Sequence, residues 1–170
     1  MEKTNIVLIG MPASGKSTVG VILAKVLGKK FIDTDLVIQL RENALLAEII
    51  KDKGVEGFMK SEEEAILSVD ENNTVIATGG SAVYGEKAME HLKENGTVIY
   101  LKVEKDELFK RLKNIKERGV VLKQGETLEE MYDNRSVLYE KYADIVIEER
   151  DSTIEETIEK IQNELWFGRK

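Results

Sequence analysis

The chain has 170 residues, 42% hydrophobic and 34% charged, with a formal net charge of −7. That size and balance suit one globular domain with a sizeable core, and the acid excess argues against a general nucleic-acid surface. There is no cysteine and only one histidine, His91, which excludes disulfides and thiolate metal sites and leaves almost no room for Ser-His catalysis or His-rich metal centres.

The first predicted strand, 5–10, opens with the apolar run Asn5-Ile-Val-Leu-Ile9 and leads into Gly10-Met-Pro-Ala-Ser-Gly-Lys-Ser-Thr18. This is G-x-x-x-x-G-K-[ST], the phosphate-binding P-loop, placed between a strand and a helix as its mechanism requires. The turn aims backbone N–H groups of residues such as Ala13, Ser14 and Gly15 at phosphate oxygens, and the helix N-terminus adds partial positive charge. Lys16 can reach the β- and γ-phosphates, and the Ser17 hydroxyl is the expected Mg²⁺ ligand. Gly10 and Gly15 allow the close backbone approach. The following helix shows a stripe of Val19, Ile22, Leu23, Val26 and Leu27, and Gly28 ends it.

The second strand, 30–34, leads into Asp33-Thr-Asp35. In an extended chain these carboxylates share one side, beyond the carboxyl end of the strand where ligands of open α/β sheets bind. Such a pair can hold a water on a metal and accept a proton from an attacking hydroxyl. Helix N-capping by Asp35 accounts for part of the pattern. Residues 36–72 then read as helical with no strand, longer than a usual crossover, and in a P-loop protein form the natural acceptor-site insertion.

The third strand, 74–78, ends in Thr78-Gly-Gly-Ser81. Gly79 and Gly80 permit close approach to a ligand, or form a simple tight turn. The strand ends in Thr78 and not in an acid, so Asp33 is the carboxylate expected to reach Mg²⁺ through water. The helix over 85–95 stops at Gly96 and carries His91 on its exposed side. After the fourth strand, 97–102, residues 112–126 are basic and irregular and suit a phosphate-closing lid.

Thr127-Leu-Glu-Glu130 and Ser152-Thr-Ile-Glu155 read as capping boxes. The helix from Leu128 to Tyr142 has an apolar stripe of Leu128, Met131, Tyr132, Leu138, Tyr139 and Tyr142, and Arg135 sits inside it. An inward guanidinium needs an anionic partner: a substrate carboxylate, a phosphate, or an internal acid. The fifth strand is 144–148, and the last helix buries Ile154, Ile158, Ile161 and Leu165. Trp166 and Phe167 pack on a sheet edge or make a subunit contact. Strands apolar on both faces belong to a parallel sheet covered on both sides, so the chain reads as one α/β/α domain spanning 1–170. With no signal peptide and no run of 18 apolar residues it is expected in the cytoplasm, away from membranes.

This constellation resembles the shikimate kinase family, in the nucleoside-monophosphate-kinase-like branch of P-loop proteins. The markers are Gly10–Thr18, Asp33-Thr-Asp35, Phe58 with Glu62-Glu63, Thr78-Gly-Gly80, Arg118 in the lid, and Arg135-Ser-Val-Leu-Tyr-Glu-Lys-Tyr-Ala-Asp144. The resemblance implies a P-loop fold with a five-stranded parallel sheet in the order 2-3-1-4-5, a lid and a helical substrate region. It implies ATP as donor, Mg²⁺, and transfer to a hydroxyl of a small anionic metabolite, shikimate giving shikimate 3-phosphate. Carried over by residue, Asp35 contacts the acceptor hydroxyls and assists deprotonation, and Asp33 sits near Mg²⁺. Gly79 and Gly80 line the acceptor pocket, and Arg135 grips the acceptor carboxylate. Arg111 stacks on adenine, Arg118 closes over the phosphates, and Thr18 completes the nucleotide loop.

Three positions depart from the family. Its carboxylate-binding arginine is Met59 here, its third glycine is Ser81, and the lid's Arg-Pro is Arg118-Gly119. The donor half is therefore intact and the acceptor half altered, which also fits a related kinase for a different hydroxylated metabolite. A nucleotide-binding module without catalysis is the other reading. A monomer is expected.

Overall fold

The computed structural model describes residues 3–113 and 120–167. Five strands form one parallel sheet: β1 (Asn5–Ile9), β2 (Lys30–Asp33), β3 (Thr74–Ala77), β4 (Gly96–Val103) and β5 (Ile145–Glu149). Their spatial order is β2-β3-β1-β4-β5, as expected. Ile6, Val7 and Leu8 of β1 pair with Val75, Ile76 and Ala77 of β3 on one side and with Thr97, Val98 and Ile99 of β4 on the other.

Alternate residues of the central strands feed two cores. Val7, Ile9, Ile76, Val98 and Tyr100 face α4 (Glu86–Asn95), α5 (Lys105–Lys113) and α6 (Leu128–Tyr142). Ile6, Leu8, Val75, Ile99 and Leu101 face α1 (Lys16–Leu27) and α7 (Ile154–Phe167). The result is a three-layer α/β/α sandwich in which the central strands are dry on both faces. A third cluster, with Ile38, Ile49, Phe58, Ala65 and Val121, ties α2 (Thr34–Glu42) and α3 (Leu46–Leu67) to the segment after residue 120. Gly54, with a φ of 70°, kinks α3 into two pieces. No described helix is long and apolar enough to cross a membrane.

Four expectations need correction. In α1 the buried face is Lys16, Val19, Gly20, Leu23 and Ala24, while Ile22 and Val26 are exposed. A methyl on Gly20 would meet the Phe31 ring at 2.7 Å, so the small-residue side lies against the sheet. The last capping box is one residue later: Thr153 Oγ1 accepts from Glu156 N, and Glu156 Oε2 accepts from Thr153 N. In α7 and α6, Ile154 and Leu128 lie on exposed first turns, leaving Ile158 and Ile161 to fill the core. His91 is half-buried, with Nε2 2.8 Å from the Val69 carbonyl. Two further helix-end signals hold: the Thr127–Glu130 box closes in both directions, and α4 runs straight into β4 at an extended Gly96.

Candidate active site

The carboxyl ends of β1, β2 and β3 open onto one cavity of about 600 Å³. The strand order reverses around β1, where open α/β sheets place their ligand crevice. Lys16, Asp35, Phe58, Glu62, Gly79 and Arg135 all line it, brought together from α1, α2, α3, α6 and the loop after β3.

After β1 the chain turns through Gly10–Gly15 into α1. A Cβ on Gly10 would stand 2.7 Å from the Leu101 carbonyl oxygen, whereas Gly15 has open space but a φ of 89°. The first glycine thus answers both to packing against β4 and to its own φ of 148°, and the second to backbone shape alone. Lys16 is buried, and its Nζ donates to the carbonyls of Gly10 (2.9 Å) and Met11 (2.7 Å) and to Ser14 Oγ (3.3 Å). Burial pushes its pKa down to about 8, opposed by the charges of Asp35 and Asp33. Ala13, Ser17 and Thr18 line the same cavity. Arg111 of α5 reaches the loop, placing NH1 3.5 Å from the Ala13 carbonyl while Nε bonds Glu107.

Asp33 and Asp35 are not two residues of one extended strand. β2 ends at Asp33 and α2 begins at Thr34, because Asp33 is the cap: its Oδ1 accepts from the Asp35 backbone N at 3.0 Å. Asp33 Oδ2 also accepts from the Ser17 hydroxyl at 2.6 Å. Capping therefore falls to Asp33 and leaves the Asp35 side chain to the cavity. Burial lifts Asp35 to about 6, helped by the neighbouring Asp33 charge and opposed by Lys16.

The Gly79-Gly80 backbone forms the opposite wall. A methyl on Gly79 would stand 2.5 Å from Glu62 Oε1 and 2.8 Å from Asp35 Oδ1. One on Gly80 would meet Pro12 at 2.8 Å and Arg135 NH1 at 3.1 Å. Tyr139 donates to the Gly80 carbonyl at 2.5 Å, fixing this wall to α6. Close approach is the reason for both glycines.

Arg135 is 1% exposed. It donates through NH2 to the Val121 carbonyl, lies 5.4 Å from the Tyr84 ring centroid, and its Nε has no partner among the described residues. A buried guanidinium with unused donors at a cavity wall is suited to an anion.

Met59 does not line the main cavity. It faces a smaller one of about 200 Å³, separated from the first by Glu62 and Ser81. Arg118 lies outside the described residues. The sequence marks Glu62 only as part of the family pattern and Ser81 only as a departure from it; the structure buries both at the wall, joined by a 2.5 Å hydrogen bond. A signal for Glu62 exists: it continues the helical stripe of Phe58, Ala65 and Ile66, as Arg135 does in its own helix.

The family model for shikimate kinase matches residues 12–166. A shikimate kinase of Clostridium botulinum (strain Okra) is 43% identical over 161 residues, covering 92% of this chain and 93% of that one. Among solved structures, a shikimate kinase from Acinetobacter baumannii in complex with shikimate superposes with a TM-score of 0.86 at 30% identity, over 98% of this chain and 94% of that one. A shikimate kinase from Aquifex aeolicus gives 0.79 at 34% identity, over 95% of each chain.

Proposed function

We propose that this chain, which belongs to the shikimate kinase family, transfers a phosphoryl group from ATP to a hydroxyl of shikimate in the cavity between Lys16, Asp35 and Arg135. Membership in that family makes it a phosphotransferase with an alcohol acceptor. The observation that carries the acceptor assignment is the buried Arg135, with donors left over at a cavity wall that also holds Asp35.

Lys16 and the loop N–H groups hold the donor phosphates. Ser17 and Asp33, already 2.6 Å apart, offer the hard oxygen donors that suit Mg²⁺, with Ser17 the direct ligand and Asp33 acting through water. The metal would neutralise charge on the transferring phosphoryl group. Arg111 flanks the base side, and Arg118, outside the described residues, is assigned the charge on the transferring phosphoryl group through the family pattern alone. The acceptor sits against Gly79 and Gly80 with its carboxylate on Arg135, and Asp35 takes the proton of the attacking hydroxyl. Helices over 36–72 enclose the acceptor, and one domain spanning 1–170 contains the whole machinery. We take the chain to work as a monomer in the cytoplasm, where ATP is held.

Positioning supplies most of the rate in such a reaction. Gly79→Ala should therefore lower turnover about 100-fold by pushing Asp35 off its site, with ATP affinity little changed. Turnover equal to that of the unmutated protein would show that this position of Asp35 is not the reactive one.

The direct test is ADP release from MgATP with shikimate, compared across other hydroxylated acids. Shikimate should give the highest kcat/KM. A different acid preferred by an order of magnitude would transfer the assignment to that acid, in keeping with Met59. ATP binding with no transfer to any of them would favour a binding module.

A further inference from the structure

The acceptor wall contains a buried acid with no cation bonded to it among the described residues. Glu62 is 2% exposed. Its Oε2 accepts from the Ser81 hydroxyl at 2.5 Å, and its Oε1 has no hydrogen-bond partner among the described residues. Met59, one turn earlier on α3, offers only a thioether to this neighbourhood. Three charged groups face Glu62 across the main cavity: Asp35 from α2, Lys16 from α1 and Arg135 from α6. On the smaller cavity, Lys60 and Glu63 flank it on its own helix, and Tyr84 lies opposite.

Burial pushes Glu62 up to about 7. Asp35 adds to the rise, and the Ser81 bond, Arg135 and Lys16 oppose it. An isolated buried carboxylate is costly, so the folded chain favours the acid form. Ionisation of Glu62 makes the cavity one charge more negative. With Glu62 neutral and the other four groups ionised, Asp33 and Asp35 balance Lys16 and Arg135. With Glu62 ionised, the wall carries one excess negative charge facing an anionic acceptor. Asp35, at about 6, and Lys16, at about 8, titrate in the same range, so it is the comparison with Glu62→Gln that isolates the Glu62 charge.

We propose that Glu62, held by Ser81, is the charge gate of the acceptor pocket: as a neutral acid it admits a carboxylate-bearing acceptor, and as a carboxylate it opposes one. It is a positioning residue that acts through its field and through Ser81, with Oε1 covered by Gly79. The inference rests on the reading of this cavity as the acceptor site, and two measurements separate its fate from that of shikimate itself.

The first needs no ligand. In protein labelled with ¹³C at the glutamate carboxyls, the resonance missing from Glu62→Gln should titrate with a midpoint near 7. A midpoint in the ordinary glutamate range overturns the proposal. The second is binding of shikimate and of its uncharged carboxamide at pH 6 and pH 8.5. For the unmutated protein, shikimate affinity should fall at the higher pH. Glu62→Gln, which keeps the shape of the neutral acid, should then bind shikimate about tenfold more tightly than the unmutated protein at pH 8.5. Carboxamide binding should differ between the two proteins by less than about twofold, since it presents no charge to the gate. Identical pH profiles for the two proteins with shikimate overturn the proposal, as does an equal effect on the carboxamide. If shikimate binds neither protein at either pH, the acceptor assignment fails, and the carboxyl titration still decides the state of Glu62.

Discussion

Asp35→Asn should lower turnover with shikimate by about 10²- to 10⁴-fold while ATP affinity changes by less than about threefold. Asp35 lies in the first turn of α2, where its position is set by the Asp33 cap and not by its own carboxylate. Asparagine therefore keeps the backbone and the volume and removes only the proton acceptor. At a pKa of about 6, the carboxylate is ionised at neutral pH yet basic enough to take a proton as the hydroxyl attacks. Its stability signature should run opposite to its activity signature. Asp35 has a folded pKa above its ordinary value of 3.8, so its contribution to stability is fully present below that ordinary value and is lost as pH rises through 6. Without nucleotide or Mg²⁺, Asp35→Asn should thus be at least as stable as the unmutated protein at pH 8. Unchanged turnover would remove Asp35 from the mechanism. Reduced turnover accompanied by a lower melting temperature at pH 8 would point to misfolding instead.

The parts of the site legible in the sequence are those whose signals are local. Strand, Gly-rich loop and helix adjoin in residues 5–27, so one stretch of chain places the P-loop. Arg135 is legible because a guanidinium within an apolar helical stripe must find an anion or an acid inside the fold, and it is 1% exposed. Where two local signals overlap, tertiary structure makes the choice. Ser152–Glu155 and Thr153–Glu156 both fit a capping box. The second forms, and the Thr157 hydroxyl of the same first turn bonds Glu149 at the end of β5. Asp33 and Asp35 fit a strand pair by spacing alone, but the cap at Asp33 starts the helix between them.

The buried face of α1 departs from its periodicity for a different reason. The large apolar residues suggest one stripe, but the helix lies close to the sheet through Gly20 and Ala24, with Phe31 filling the space above Gly20. Apolar size and closeness of packing compete at such a contact, and single-helix periodicity carries only the first. Glu62 is hard to find from sequence because an acid in a helix is usually solvated. Its burial follows from what stands across from it, namely Ser81 and the Gly79 backbone, some twenty residues further along the chain. The departures at Met59 and Ser81 act through each other: both sit around Glu62, and only the fold brings them together.

Lys16→Met should reduce turnover with every acceptor by about 10²- to 10³-fold and, unlike Asp35→Asn, should also weaken ATP binding by roughly 10- to 100-fold. Lys16 Nζ is held by two loop carbonyls and Ser14, so the ammonium stands where the P-loop curls around phosphate. Methionine matches the length of the stem and leaves the loop packed while deleting the charge. The cost of burying that charge holds the folded pKa at about 8, below the ordinary lysine value of 10.5. Between those values the unfolded chain binds more protons, so this residue's contribution to stability rises with pH. At pH 7, where the buried ammonium is a burden on the folded state, Lys16→Met should not lower the melting temperature of the nucleotide-free protein. A phosphate ligand reverses that balance, because it brings negative charge to an ammonium whose bonded partners among the described residues are neutral oxygens. MgATP should accordingly raise the melting temperature of the unmutated protein more than that of the variant, and near-equal shifts would mean that the donor phosphates lie away from Lys16. Turnover of any acceptor at the unmutated rate would contradict the phosphate site itself, whatever the identity of the acceptor.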